Sequence, residues 1–193
     1  MQASIILASS SPFRKELLAR LNLPFECHSP DVDESLQRGE KAEAYVCRLA
    51  RQKAQAIANK FPEAVIIGSD QCALLEDQIL GKPGDHNNAL KQLKAARGKS
   101  VIFHTGLCVM QSSTGFSETD DILFEVKFRH LSDQQLSHYL EVEQPYQCAG
   151  SFKSEGYGAA LFDNMQGDDP TALIGLPLIR LVTMLENAGV TVI

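Results

Sequence analysis

The chain has 193 residues, 44% of them hydrophobic and 22% charged, a balance that excludes disordered, collagen-like and coiled-coil architectures. At this length folding removes roughly 70% of the extended chain's surface from water, enough for a sizeable core in a single domain spanning residues 1–193. Its 18 Lys and Arg against 24 Asp and Glu leave a net charge of −6, which argues against a broad nucleic-acid surface built from phosphate contacts and leaves small anions open.

Five cysteines, at positions 27, 47, 72, 108 and 148, are odd in number and contain no CxxC pair. That spacing supports neither a disulfide framework nor a zinc ribbon, and buried reduced thiols are expected. The apolar run at 5–8 is short and precedes the first basic residue, Arg14, so no signal peptide is read. Residues 101–117 lack Asp, Glu, Lys and Arg but carry His, Thr, Gln and Ser, which is no membrane span. A cytoplasmic protein with no membrane partner is the expectation.

In chain order, residues 4–9 (SIILAS) predict a buried strand, stopped by Ser-Ser-Pro. Ser11 then suits an N-cap and Pro12 the first helical position, with Phe13, Leu17 and Leu21 recurring at i, i+4 and i+8. A short strand at 25–28 leads into an acidic loop at 31–34, and an Ala-rich helix is predicted over 41–60. The apolar run at 64–69 (AVIIGS) is a strand that continues after Asp70 into 72–75. Asp85 can cap a helix to Arg97, with Gly98 just beyond its end. Two long strands, 100–111 and 116–129, flank the hairpin signal Ser-Ser-Thr-Gly. Ser132 and Gln135 have capping-box spacing for a helix to about Glu141. A Gly-rich section at 150–158 precedes a last helix at 178–188, and 190–193 reads as an edge strand. Alternating helices and strands with one long hairpin predict an α/β fold with a mixed sheet.

Three places can carry chemistry. At 9–14 (SSSPFR) an apolar strand enters a hydroxyl-rich turn that opens a helix, where free N–H groups and the dipole end can receive an anion. The same pattern also describes an ordinary N-cap with an exposed Arg14. On the predicted helix 41–60, Val46, Leu49, Ala50 and Ile57 form an apolar stripe with Lys53 near its middle. That lysine must snorkel, pair with a carboxylate or face a polar cleft, whereas Arg48, Arg51 and Gln55 lie on the solvated side. Asp70, just after AVIIGS, is placed where open α/β sheets gather ligands, as metal ligand, general base or plain turn carboxylate. The loop carboxylates Asp31, Asp33 and Glu34 can join a magnesium site, and Lys82 in the turn LGKP can reach a phosphate. No P-loop, GxSxG elbow or histidine-based zinc spacing is present.

Taken together, ILASSSPFRKELL, the Val32-Asp33-Glu34 loop, Leu49-Ala50 through Lys53-Ala54, IIGSDQ, GKP, HTGL, CAGSFKSEGYG and GLPL resemble the Maf family of nucleotide pyrophosphatases over nearly the whole chain. Phe13, the triplet Ser69-Asp70-Gln71 and the stretch SFKSEG look like the 7-methyl-GTP pyrophosphatase branch. The dTTP/UTP branch usually has Asp-Thr after the strand.

The resemblance implies a bilobed α/β domain with a long mixed sheet, flanking helices and a cleft between the lobes. It implies hydrolysis of a nucleoside triphosphate, with 7-methyl-GTP as substrate, to the monophosphate and diphosphate. Asp70 would be the proton acceptor, with Phe13, Gln71 and Glu155 as specificity positions. Ser9, Arg14, Lys53 and Lys82 would hold the phosphates, and Glu34 with Asp70 a divalent cation, Mg2+ or Mn2+. The implied partner is a small nucleotide and no nucleic-acid polymer, with a homodimer as an allowed assembly. Lys15 replaces the second Arg of the usual basic pair and lacks its bidentate fork. Phe13 stands where the branch often has Trp, so its stacking surface is smaller. N7-methylation makes guanine cationic, which suits an aromatic face and a carboxylate. Two alternatives stay open: the same reaction on dTTP, UTP or another modified base, and a nucleotide-binding regulator of cell division.

Overall fold

The computed structural model describes residues 4–193. Seven strands form one hydrogen-bonded sheet: β1 (Ile5–Ala8), β2 (Phe25–Cys27), β3 (Val65–Leu75), β4 (Gln78–Leu80), β5 (Ser100–Gln111), β6 (Phe116–Phe128) and β7 (Phe162–Gln166). Six α-helices accompany them: α1 (Pro12–Ala19), α2 (Ala42–Ala58), α3 (His86–Ala96), α4 (Asp133–Glu143), α5 (Pro170–Ile174) and α6 (Leu178–Asn187). The strand order is β2-β1-β3-β5-β6-β7, with β4 pairing β3. β1 is parallel to β2 and β3, whereas β3–β4 and β6–β7 are antiparallel, so the sheet is mixed as expected.

The chain divides into two compact units. One comprises residues up to Asp70, Thr105–Ile122 and Asp169–Ile193; the other comprises Gln71–His104 and Leu123–Asp168. Neither is a continuous stretch, which is why no linker composition marks them in the sequence.

Strand alternation organises the first unit. Ile5, Leu7, Val65, Ile67, Leu107 and Val109 pack on one side with Leu17 and Leu18 of α1 and Leu181, Met184 and Leu185 of α6. Ile6, Ala8, Ala64, Ile66, Cys108 and Met110 pack on the other with Ala50, Ala54, Ile57 and Ala58 of α2. Because side chains alternate faces with period 2, odd positions of β3 meet α1 and α6 and even positions meet α2. Two even-numbered glycines let α2 lie unusually close. A Cβ at Gly68 would stand 2.1 Å from the Ala50 carbonyl, and one at Gly106 would stand 2.3 Å from that of Val46. In the second unit, Phe152 packs edge-on against Phe103, Phe128 and Phe162, with ring centroids 4.7 to 5.7 Å apart.

Most predicted elements are present within a residue or two of their expected ends. β3 runs without interruption through Asp70 to Leu75, as one strand. Residues 190–193 are not a strand: Val190 donates its N–H to Leu185 (2.9 Å) to close the end of α6, where Gly189 has φ +83°, and its side chain joins the core. The short elements β4, α5 and β7 carry no periodicity long enough to predict. All five cysteines are free; Cys72 and Cys108 are buried, Cys47 and Cys148 partly so, and Cys27 is exposed on the edge strand β2. Burial pushes the Cys47 thiol up to about 11, with Asp121 and Glu43 adding to it.

Asp169 ties the two C-terminal helices together. Its Oδ1 accepts from the Thr171 N–H (2.8 Å) and hydroxyl (2.5 Å), and its Oδ2 from the Ile179 N–H (2.8 Å). The residue is 3% exposed, so each lost bond leaves a donor with little water to replace it. Asp169→Ala should therefore cost about 2–3 kcal/mol in urea unfolding, more than a surface cap, and Asp169→Asn visibly less.

Candidate active site

The site in the first unit follows from the close approach of α2. Gly68 fits under Ala50 and Ala54, so the next even position of β3, Asp70, meets the next α2 side chain of the same face, Lys53. Lys53 Nζ lies 2.6 Å from Asp70 Oδ1 and 2.6 Å from Glu34 Oε1. The Lys53 and Asp70 side chains are 7% and 10% exposed, while Glu34 is 55% exposed. Of the three fates open to a lysine in an apolar stripe, pairing is the one realised. Two charges taken this far out of water are stable only as a pair.

Asp70 is an interior strand residue, neither a turn carboxylate nor a residue beyond a strand end. β1 stops at Ala8, opposite Gly68, while β3 continues to Leu75. The carboxylate thus lies just past the end of its neighbouring strand, where the chain turns into Ser9–Ser11.

That turn carries the anion-site candidates. Ser9 is buried and its Oγ accepts from the Ser11 N–H (3.1 Å), and Ser11 caps α1 by accepting from the Arg14 N–H (3.4 Å). The N-cap reading is therefore correct in part. Arg14, however, is not a solvated side chain: its Nε donates to the Gly175 carbonyl (2.8 Å). Burial pushes the guanidinium pKa down, and Asp70 and then Glu34 pull it back up. Arg14 and Lys53 thus share the same two carboxylates. Ser69 shares the other anchor, donating from Oγ to the same Gly175 carbonyl at 2.9 Å. Gly175 ends α5 with φ +116°, a conformation that favours glycine and turns its carbonyl toward both donors.

The loop bearing Glu34 is held by α2 as well. Arg48 makes a bidentate pair with Glu40 (2.6 and 2.7 Å) and donates to the Ser35 carbonyl (3.0 Å), and Tyr45 Oη donates to the Glu34 carbonyl (3.0 Å). Arg48 was expected on the solvated face; its side chain is only 18% exposed because the loop folds over it. The Arg48 hydrogen bond holds Glu40 below its ordinary pKa, and the Ser35 hydroxyl and N–H do the same for Asp33. Neither Arg48 nor Tyr45 stands out in the sequence as a site residue. Gly68 did carry a signal, since an isolated glycine inside a strand marks a close backbone approach. Phe13 is half-buried at the second position of α1.

In the second unit, Gln71 follows Asp70 on β3 and points to the opposite face. Lys82 is exposed in the segment between β4 and α3, whose backbone is fixed by Gln92 to Gly81 O (3.2 Å), Asn88 to Pro83 O (3.2 Å) and Gly84 N–H to Tyr146 O (2.9 Å). Glu155 is exposed in a turn after Phe152. Burial raises the pKa of the Cys148 thiol, and the charges of Glu155 and Lys82 act on it in opposite directions, the first raising and the second lowering it.

Among the described residues no group of three or more His, Cys, Asp or Glu is arranged to hold a metal ion. Glu34 and Asp70 converge on the Lys53 ammonium; a hard cation such as Mg2+, completing its shell with water and phosphate oxygens, would share these two carboxylates with that ammonium. Asp31 and Asp33 do not join them; Asp33 Oδ1 is engaged by the Ser35 N–H (2.9 Å) and hydroxyl (2.6 Å).

Removing one partner of the buried pair leaves the other charge uncompensated. Lys53→Met should cost about 3–5 kcal/mol in urea unfolding, and adding Asp70→Asn should restore more than half of that loss. Strictly additive losses would show that the two side chains are not coupled.

Comparison with known proteins places the chain in a family. The family model described as Maf-like protein matches residues 4–188. The 7-methyl-GTP pyrophosphatase of Methylobacillus flagellatus is 58% identical over 189 residues, covering 98% of this chain and 98% of the relative. That of Nitrosococcus oceani is 55% identical over 190 residues, covering 98% and 96%. Among solved structures, the Staphylococcus aureus Ham1 protein superposes with a TM-score of 0.55 at 13% identity, over 96% of this chain and 99% of that one, a likeness of fold. Matched by the family model over almost its whole length and by relatives of more than half identity, this chain belongs to the Maf family.

Proposed function

We propose that this chain hydrolyses 7-methyl-GTP to 7-methyl-GMP and diphosphate. The observation that carries the reading is the Lys53–Asp70–Glu34 cluster at 2.6 Å spacing beside Arg14, in a chain whose relatives bear that activity in their names. In the reaction a water oxygen bonds to the α-phosphorus, the bond from that phosphorus to the α,β-bridging oxygen breaks, and diphosphate leaves with the bond's electrons. The water proton goes to Asp70, whose Oδ2 is the oxygen that Lys53 does not take.

Arg14 and Lys53 supply fixed positive charge for the triphosphate and the leaving diphosphate, with the α1 N-terminus beside them. Lys82 belongs to the same reading as a phosphate ligand, and Phe13, Gln71 and Glu155 as determinants of the base. Two cations against two carboxylates make the cluster neutral, so a polyphosphate gains little net attraction from it. A divalent cation, Mg2+ or Mn2+, held by Glu34 and Asp70 would restore that attraction and lower the pKa of a bound water.

The reaction on dTTP or UTP differs only in the base. The regulator reading would use Lys53 for the phosphates but would not require Asp70 to take a proton. A cytoplasmic setting suits five free thiols. No helix among the described residues is long and apolar enough to cross a membrane.

The test is diphosphate release from a panel of 7-methyl-GTP, GTP, dTTP and UTP, with and without Mg2+. Highest kcat/KM on 7-methyl-GTP, dependent on the cation, is expected. Asp70→Asn should lose about 10²–10⁴-fold in kcat while still binding nucleotide. Turnover near wild type in that variant would falsify the assignment of the base, and preference for dTTP or UTP that of the substrate.

A further inference from the structure

Glu155 lies in a turn that α4 grips from one side. Tyr139 and Glu143 are one helical turn apart on that helix and so share a face. Tyr139, 2% exposed, accepts on Oη from the Lys153 N–H (3.1 Å), ahead of Glu155. Glu143, with its side chain 16% exposed, accepts on Oε2 from the Tyr157 N–H (2.8 Å), beyond Glu155. Its Oε1 also pairs with Lys153 Nζ at 3.3 Å. The two residues flanking the turn are thus fixed to one helix face through their backbones.

The glycines of the stretch fit this grip. A Cβ at Gly156 would lie 2.8 Å from Glu143 Oε2, and one at Gly158 would lie 2.1 Å from the Lys153 carbonyl. A side chain at Gly158 would meet backbone and open the turn, whereas one at Gly156 would force the Glu143 carboxylate aside from the Tyr157 N–H. Lys153 neutralises Glu143, which leaves the turn's formal negative charge on the exposed Glu155. Burial raises the Tyr139 phenol pKa, so its oxygen stays a neutral acceptor for the Lys153 N–H.

We propose that Glu143, assisted by Tyr139, is a positioning residue for base selection, holding the 153–157 turn so that Glu155 meets the methylated guanine in a fixed place. The inference rests on the reading of Glu155 as the carboxylate that recognises the base. Neither Glu143 nor Tyr139 needs to touch the nucleotide. A carboxylate that drifts by about an ångström loses both its hydrogen-bond geometry and much of its attraction for the cationic ring.

The experiment measures kcat/KM for 7-methyl-GTP and for GTP in Glu143→Ala, Glu143→Gln, Gly156→Ala and Glu155→Gln. Glu143→Ala should lower the preference for 7-methyl-GTP by about tenfold or more, with GTP turnover within about threefold of wild type. Glu143→Gln, whose amide oxygen still accepts from Tyr157, should keep most of the preference. Gly156→Ala retains the Glu143 carboxylate but forces it away from the Tyr157 N–H, so it should repeat the loss, and it decides the matter if Glu143→Ala does not fold. Equal losses on both nucleotides would mean a merely structural contact and overturn the proposal. Unchanged preference in Glu143→Ala and Gly156→Ala, with collapse in Glu155→Gln, overturns the positioning role alone. Unchanged preference in Glu155→Gln overturns the base reading and this inference with it.

Discussion

The ammonium of Lys53 is the charge on which the first unit is organised. It stands in the apolar stripe of α2, 2.6 Å from carboxylates that come from a strand interior and from a loop. No single element could supply that arrangement. The helix must lie close enough for a lysine to reach the sheet, which Gly68 and Gly106 permit by offering no Cβ to Ala50 and Val46. The strand must carry its acid on the helix-facing side, which period-2 alternation assigns to Asp70 once Ile66 faces α2. The loop must then be brought back to the helix, and Tyr45 and Arg48 do that.

A second anchor serves the opposite face of the sheet. The Gly175 carbonyl receives Arg14 Nε and Ser69 Oγ, one from the helix that follows β1 and one from β3 itself. Its place is set by Asp169 and Thr171, which join the starts of α5 and α6 through four hydrogen bonds of 2.5 to 2.8 Å. Arg14 is thus aimed by a backbone oxygen and charged by the company of Asp70 and Glu34. The two cations are thus oriented differently, Arg14 by a neutral carbonyl and Lys53 by the carboxylates of Asp70 and Glu34.

Much of this was legible in the sequence wherever residue type and spacing carry the information. The Ser11 cap, the capping box of Ser132 and Gln135, and the misplaced polarity of Lys53 all follow from local rules. Asp70 is legible as a candidate, but its pairing inside the sheet is not, because its buried partner is 17 residues away. Arg48 was misread for a different reason. Its helical position is solvated until a loop that helical periodicity does not describe folds over it. The edge strand expected at 190–193 does not form; the Val190 N–H is claimed by the Leu185 carbonyl of the helix before it.

What the sequence conceals most thoroughly is the gripping of loop backbones by helices. α2 holds the carbonyls of Glu34 and Ser35, and α4 holds the N–H groups of Lys153 and Tyr157. In each case a tyrosine and a charged residue three or four positions apart make the contacts. The receiving group is a peptide, which every residue has, so the partner position shows no preference for any side chain. The loops are free to vary the residues they display, Glu34 in one case and Glu155 in the other, while the helices fix where those residues stand. Rigid elements thereby supply the precision that short exposed loops cannot generate alone, since a loop side chain is placed no better than its backbone. Residues of this kind are found by following what fixes each functional backbone segment, and spacing between functional side chains does not reveal them.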